Sequence, residues 1–248
     1  DRSQVLATEG PRLGPTEAVR EVPAPRPATD GARLTLAFVG DVLMHDTLQI
    51  QAAESASSGG FATLWEQVAP ALAAADLTYA NLEGPVAPGV RCDGGIAEVS
   101  PRISIGEGSC HAGNGDAVYT GYPLFNAPPA LLDALARAGV DVVSSANNHA
   151  LDRRRIGVQR TIEALAARGL AHTGTRSRAG SGPLHATTEA RLGGRRVRIA
   201  LLACTYGTNG LVDGADLVTS CFDDQGAPAP GLLKAVRALA ADRSLDAL

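Results

Sequence analysis

Hydrophobic and polar positions along the chain follow the order strand, helix, strand. The apolar run at residues 33–40 predicts a buried first strand. Apolar residues at helical spacing across 61–75 predict a helix, with Pro70 as a kink or boundary. The segment DLTYANLE at 76–83 then predicts a second strand. This part of the chain therefore has the pattern of a β-α-β unit.

The same alternation continues towards the C-terminus. It predicts a helix over 130–139 that ends at Gly139, a strand over 140–147, a helix over 157–169, a hairpin over 190–203 that turns at Gly193 and Gly194, and a helix over 232–241. The last five residues resemble the opening of another strand. Helices between successive strands favour parallel pairing through right-handed crossovers, so the predicted class is α/β.

Two segments lack this periodicity. Residues 1–32 are rich in Pro, Ala and Arg, which predicts a disordered linker ahead of one domain over 33–248. Such a tether suits a secreted or membrane-anchored protein, with a disordered cytosolic tail as the alternative. Residues 86–122 are rich in Gly and long for a simple connection, which predicts an insertion near a functional face.

Charge and hydropathy narrow the class of partner. The formal net charge is -4 and the sequence pI is about 5.7, so the chain has no basic footprint for nucleic acid. No stretch is apolar over the roughly 20 residues that a membrane-spanning helix needs. The sequence therefore predicts neither a nucleic-acid partner nor a membrane span.

Four cysteines lie in two pairs, each flanking one segment. Cys92 and Cys110 flank a polar Gly-rich stretch, and Cys204 and Cys221 flank the segment TYGTNGLVDGADLVTS. Each pair could close a loop by a disulfide, whereas the absence of a Cys-x-x-Cys motif argues against a sulfur-ligated metal. The alternative is four unpaired thiols in a reducing cytosol.

Three polar clusters each follow an apolar strand. They are GDVLMH at 40–45, NLEG at 81–84 and NNHALD at 147–152. Ligands of open α/β sheets bind beyond the carboxyl ends of the strands, so three clusters on parallel strands converge at one edge. The sequence therefore predicts a functional site at that edge.

The residue types in these clusters are those of a hydrolytic metal centre. Carboxylate, amide and imidazole groups together suit divalent metals such as Mn, Fe or Zn. They are provided by Asp41, Asn81, Glu83, Asn148 and His149. A bound metal would polarise the substrate and activate a water, and His149 could donate a proton to the leaving group. The candidates for orienting the ligands or contacting the substrate are His45, Asn81, Asn147 and Asp152.

Each of these residues also has a purely structural interpretation. Asp41 could be a helix cap or turn residue, and Asn147 with Asn148 could form a turn. His149 could be a hydrogen-bonded residue at a helix start, and Asp152 could be a cap. His111, His172 and His185 lie in unpatterned segments and are assigned no role.

The motifs GDVLMH, NLEGP and ANNHALD, followed by ACTYGTNG, resemble the CapA-type poly-γ-glutamate capsule-synthesis family. Members of that family are similar to calcineurin-like metallophosphatases, and the resemblance extends from Leu34 to the end of the chain. It implies a four-layer α/β/β/α sandwich around a metal site. It further implies that Asp41 is a metal ligand, that Glu83 is a bridging carboxylate, and that Asn148 and His149 supply a ligand and a proton donor.

The resemblance also implies that the metal site is incomplete. Full-length relatives continue into a His-Trp-Gly motif and a His-x-His motif that complete the site, whereas this sequence ends at Leu248 before either. We therefore expect either a C-terminally truncated fragment or a degenerate, non-catalytic copy.

The expected function follows from this resemblance. It is an extracytoplasmic protein for the synthesis, export or anchoring of an anionic capsule polymer, with metal-dependent hydrolysis of a phosphoester or amide as the chemistry. Its expected partners are the polymer or another cell-envelope substrate and the membrane-associated synthesis machinery. The alternatives are a non-catalytic polymer-binding module on the same fold and a cytosolic metallohydrolase of small phosphoesters.

Overall fold

The computed structural model describes residues 33–97, 110, 115–178, 181–192 and 194–248. The predicted linker over 1–32 and much of the predicted insertion over 86–122 lie outside these residues. In chain order the elements are β1 (Leu36–Val42), α1 (Asp46–Glu54), α2 (Ala69–Ala73), β2 (Leu77–Leu82), α3 (Ala130–Arg137), β3 (Val142–Ser144), α4 (Arg154–Ala166), β4 (Ala171–Thr173), β5 (His185–Leu192), β6 (Arg195–Leu202) and α5 (Pro230–Ala241).

The first four strands form one parallel sheet in the order β1-β2-β3-β4. Helix α3 precedes β3 and helix α4 precedes β4, which is the crossover arrangement that parallel pairing requires. Strands β5 and β6 form a separate antiparallel hairpin. The α/β class is therefore confirmed.

Successive side chains of a strand point to opposite faces of the sheet, and at β2 and β3 both faces are mostly buried. Strand β1 is partly exposed, so the prediction of a buried first strand is wrong. Val143 packs in one hydrophobic cluster with Leu131 and Leu135 of α3. Its neighbour Val142 packs in another cluster with Val197 and Ile199 of the hairpin. Helix α3 and the hairpin thus pack against opposite faces of the sheet.

Several predicted elements differ in the structure. Residues 61–75 do not form one helix, because a 3₁₀ turn over Gly60–Leu64 is separated from the short helix α2. Pro70 lies in the first turn of α2, where its missing N–H costs no hydrogen bond. Helix α1 and strand β4 have no counterpart among the predicted elements. The expected terminal strand is a single parallel bridge between Ala247 and Ile199.

Two disulfides join the cysteines in the pairs that the sequence suggested. Cys92 is bonded to Cys110, and Cys204 is bonded to Cys221. None of the four is a free thiol. Among the described residues, no helix combines the length and apolar character needed to cross a bilayer.

Candidate functional site

The ends of three parallel strands bring polar side chains together, as the sequence predicts. Asp41 lies near the end of β1, where it is in register with Asn81 of β2. The Asn81 amide donates a hydrogen bond of 2.8 Å to the Asp41 carboxylate. Asn147, in the loop after β3, donates to the Asn81 side-chain oxygen at 3.2 Å. One chain of side-chain hydrogen bonds therefore connects β1, β2 and the loop after β3.

Asn147 fixes the loop that carries His149. Its amide also donates to the backbone carbonyl of Leu82 at 2.8 Å, and its side-chain oxygen accepts from the backbone N–H of His149 at 3.2 Å. Asn147 is buried, so these bonds are shielded from competing water. Its contacts are those of a residue that positions the loop.

Asp41 and Glu83 form a carboxylate pair. Burial raises the pKa of Glu83, and the charge of Asp41 and a hydrogen bond between the two side chains raise it further. A proton held between the two groups relieves their repulsion. A divalent cation would do the same, which makes this pair the part of the site best suited to a metal.

His149 faces Glu83 on one side and is held by Asp152 on the other. Its Nε2 lies 3.9 Å from Glu83 Oε1, and its Nδ1 lies 2.8 Å from Asp152 Oδ2. The backbone N–H of Phe125 donates to the same Asp152 oxygen at 2.7 Å. Asp152 is buried, and burial raises its pKa although both hydrogen bonds and the His149 charge oppose that shift. Asp152 thus fixes the ring of His149 with Nε2 towards the carboxylate pair.

Phe125 packs against two of the predicted site residues. Its ring meets His149 edge to face at a centroid distance of 4.6 Å and His45 in the same manner at 5.0 Å. The ring of Phe125 therefore lies between His45 and His149, and His45 contacts Phe125. Phe125 belongs to a stretch without helical or strand periodicity, so the pattern of the sequence held no signal for its role.

Arg153 is a second residue that the sequence did not single out. It is 1% exposed, and its guanidinium donates to the carbonyls of Val90, Val118, Leu124 and Phe125. Burial lowers its pKa to about 10, which leaves it charged at neutral pH. Arg153 thereby holds the segment that places Phe125 next to His149.

Asn148 contacts a different part of the chain from the other candidates. Its amide lies 3.4 Å from the side-chain oxygen of Asn209, in the loop that the Cys204–Cys221 disulfide closes. The described contacts connect it with this loop and not with the carboxylate pair. Its role as a metal ligand stays a prediction.

The described residues fit a divalent metal in part. Asp41 and Glu83 supply adjacent carboxylate oxygens, which are donors that Mn and Fe accept readily. Within the described ranges, no group of three or more His, Cys, Asp and Glu side chains is arranged to hold a metal ion. Water, substrate or residues elsewhere would have to complete the coordination.

Comparison with protein families is consistent with the motifs at the strand ends. The family model for bacterial capsule synthesis protein PGA_cap matches residues 35–238, a range that contains all three polar clusters and the loop bearing Asn209. No curated protein shows significant similarity to the chain. Because the family match spans most of the sequence, the chain belongs to the bacterial capsule synthesis protein PGA_cap family.

Proposed function

We propose that this member of the capsule-synthesis family is a metal-dependent hydrolase of phosphoester or amide bonds. It would act in the synthesis, export or anchoring of a poly-γ-glutamate-type polymer. The observation that carries the proposal is the carboxylate pair of Asp41 and Glu83 facing the His149–Asp152 pair at the end of a parallel sheet. A metallophosphatase-like α/β/β/α sandwich is part of the same proposal.

Each side chain has a distinct task in this scheme. Asp41 and Glu83 would hold a divalent metal such as Mn, Fe or Zn, with Asn148 as a further candidate ligand. The bound metal would polarise the substrate and lower the pKa of a water molecule. Asn81 fixes the Asp41 carboxylate through the hydrogen bond of 2.8 Å.

Proton transfer to the leaving group is assigned to His149. Asp152 accepts the hydrogen bond from Nδ1, so the other ring nitrogen, Nε2, is the one presented to the substrate. After transfer, the same contacts keep the neutral ring in place for reprotonation.

The proposed location is extracytoplasmic, with the anionic polymer or another cell-envelope substrate and membrane-associated synthesis machinery as partners. The two disulfides support this location, because such bonds persist in oxidising compartments and are rare in the cytosol. They disfavour a cytosolic phosphoesterase.

A non-catalytic polymer-binding module on the same fold is the second candidate. It is favoured by the absence, among the residues that the structure describes, of a group of three metal-ligating side chains. In that case the cleft would bind polymer without hydrolysing it.

Metal content and turnover separate the two candidates. We would measure bound metal by elemental analysis in the full-length protein and in the variants Asp41→Asn, His149→Gln and Asp224→Asn, the last an exposed carboxylate as control. Activity would be followed on a chromogenic phosphodiester and a γ-glutamyl anilide.

The hydrolase proposal predicts stoichiometric metal in the wild type and in Asp224→Asn, and loss of the metal in Asp41→Asn. His149→Gln should retain the metal and lose activity by about 10²-fold or more, the usual contribution of a general acid. Full-length protein without metal, or with metal unaffected by Asp41→Asn, would leave the binding module as the better account.

A further inference from the structure

A cavity of about 300 Å³ opens at the end of β4, between α4 and the start of β5. Cationic and hydrogen-bonding side chains provide much of its lining, namely Arg176, His172, His185, Thr175, Ser177 and Ser181. None of these residues belongs to the carboxylate and histidine cluster. The volume is at the lower end of the range for small-molecule sites, and these polar groups on a partly apolar wall suit a small ligand with one charged group.

Arg176 is incompletely paired in this cavity. Its side chain is 14% exposed, and its Nη2 lies 3.6 Å from a carboxylate oxygen of Asp216, whose side chain is 69% exposed. Its Nε is buried and has no hydrogen-bond partner among the described residues. A guanidinium group that is mostly buried and has one distant, exposed carboxylate as its charge partner would gain from a closer anionic acceptor.

The shape of the Arg176 guanidinium group decides which ligands fit. The guanidinium group presents its N–H donors in a planar fork, which matches two oxygens of one carboxylate or phosphate. Asp216 approaches only Nη2 and from the solvent side, where an ion pair contributes little. An oxyanion in the cavity would compete with Asp216 for Nη2.

The remaining polar groups are compatible with an anion. Burial lowers the pKa of His172, whose ring therefore stays neutral at physiological pH. The hydroxyls of Ser177 and Ser181 lie on the same lining and can donate. Of the residues that the structure describes, none with a carboxylate lines the cavity.

The cavity adjoins the candidate hydrolytic site through the loop after β3. Thr175 and Ser145 share a hydrogen bond of 2.6 Å, and Ser145 lies two residues before Asn147. Gly174 packs so closely on Ala146 that an added Cβ would lie 2.5 Å from the Ala146 Cβ. The ends of β3 and β4 are thus held rigidly next to each other.

We propose that this cavity is an oxyanion-binding subsite in which Arg176 binds a carboxylate or phosphate group. The group could be a side-chain carboxylate of an acidic polymer or a phosphoryl group. The inference stands on the cavity and on Arg176 and does not require the Asp41–Glu83 pair to bind metal.

Amide NMR titration of the full-length protein tests the proposal with two probes, inorganic phosphate and tri-γ-glutamate. We would compare the wild type with Arg176→Gln, Arg176→Lys and Arg178→Gln. Arg178 is exposed and two residues away, so its variant controls for the loss of one positive charge. An Asp41→Ala variant removes any binding of the probes through a metal at the other site.

At least one probe should shift the amide signals of residues 175–177, 181, 182, 184 and 185 saturably, also in Asp41→Ala. Arg176→Gln should raise the dissociation constant by about tenfold or more, because a charge-assisted contact is lost. Arg178→Gln should change it by less than about twofold. The probe that binds more tightly identifies the source of the oxyanion.

Three results would overturn the proposal. They are shifts confined to the neighbours of Asp41 and Glu83, equal weakening by Arg176→Gln and Arg178→Gln, and the absence of saturation with both probes. If Arg176→Gln does not fold, Arg176→Lys replaces it as the test. Lysine keeps the positive charge but lacks the planar set of guanidinium donors, so this variant should still weaken binding. Unchanged affinity in that variant would also contradict the proposal.

Discussion

Glu83 has carboxylate Asp41 on one side and the imidazole of His149 on the other, and its protonation depends on both. Burial and Asp41 raise its pKa in the folded protein, so the folded state retains this proton at a pH where the unfolded chain has released it. Well below the ordinary glutamate pKa both states are protonated, and Glu83 does not affect stability. As pH rises through that range the unfolded state ionises first, and folding becomes less favourable until the raised pKa is passed.

Glu83→Gln should therefore stabilise the metal-free protein at pH 7.5. A glutamine cannot ionise, so the free energy of unfolding no longer falls as pH rises, whereas near pH 3.5 the variant and wild type should differ little. Thermal melts at both pH values in the presence of a chelator would measure this. Glu66→Gln, at an exposed carboxylate, is the matched control. Equal Tm changes in the two variants at pH 7.5 would contradict the expectation.

At the residue scale, the sequence predicted that the polar clusters meet, and it did not predict the residues that support them. Asp41, Glu83 and His149 follow strand-like runs, so their meeting at one edge follows from the rule that parallel strands end together. Phe125 and Arg153 act through contacts with segments distant in sequence. Such contacts depend on tertiary packing, which residue spacing does not encode.

At the scale of elements, the segment between β2 and α3 depends on two buried polar side chains. Arg153 donates to its backbone carbonyls, and the Asn126 side chain pairs with both the N–H and the carbonyl of Ala87. A non-repetitive segment cannot satisfy its own backbone groups, so these side chains replace the hydrogen bonds that a helix or sheet would supply.

Arg153→Met should destabilise the protein by about 3 kcal/mol or more, because it leaves several buried carbonyls without donors. For a domain of this size, that corresponds to a fall in Tm of roughly 6–12 °C. Denaturant unfolding and thermal melts would measure the loss. Arg155→Met, at an exposed position of α4, is the control and should change stability by less than about 0.5 kcal/mol. A Tm for Arg153→Met equal to that of the control would show that this segment is held by other contacts.

The elements that the sequence predicted well are those with one clear periodicity. Helix α3 ends just before Gly139, which adopts a positive φ of 91°. The hairpin of β5 and β6 forms as predicted at its turn and second strand, but its first strand begins at His185, five residues earlier than predicted. Helix α1 was missed because its apolar residues do not form a stripe, and β4 because it has only three residues. Over 61–75, Pro70 interrupted an apolar spacing that otherwise favoured a single helix.

At the scale of the whole molecule, alternation of strands and helices was sufficient to predict a parallel α/β sheet. It was not sufficient to predict which element covers each face. The hairpin of β5 and β6 packs against the face opposite α3, and that choice depends on complementary clusters such as Val142 with Val197. The disulfides were left open by the sequence, because spacing alone cannot distinguish paired cysteines from free thiols.

The disulfides provide a prediction for the molecule as a whole. Their half-cystines are separated by 18 and 17 residues, and closing loops of this size restricts the unfolded chain by about 3 kcal/mol for each bond in the chain-entropy model. Reduction of either bond should therefore lower the Tm by roughly 6–12 °C. Melts of Cys92→Ser/Cys110→Ser and Cys204→Ser/Cys221→Ser, each with and without a thiol reductant, would separate the two contributions.

A variant with all four cysteines replaced by serine is the control, since a reductant should leave its Tm unchanged. If the wild type melts at the same temperature with and without reductant, the bonds do not contribute to stability and the support for an extracytoplasmic location is lost. Loss of the second bond alone should also release the loop that holds Asn209 against Asn148. Activity should then fall in Cys204→Ser/Cys221→Ser at temperatures where the protein is still folded, because the loop beside the site is no longer closed.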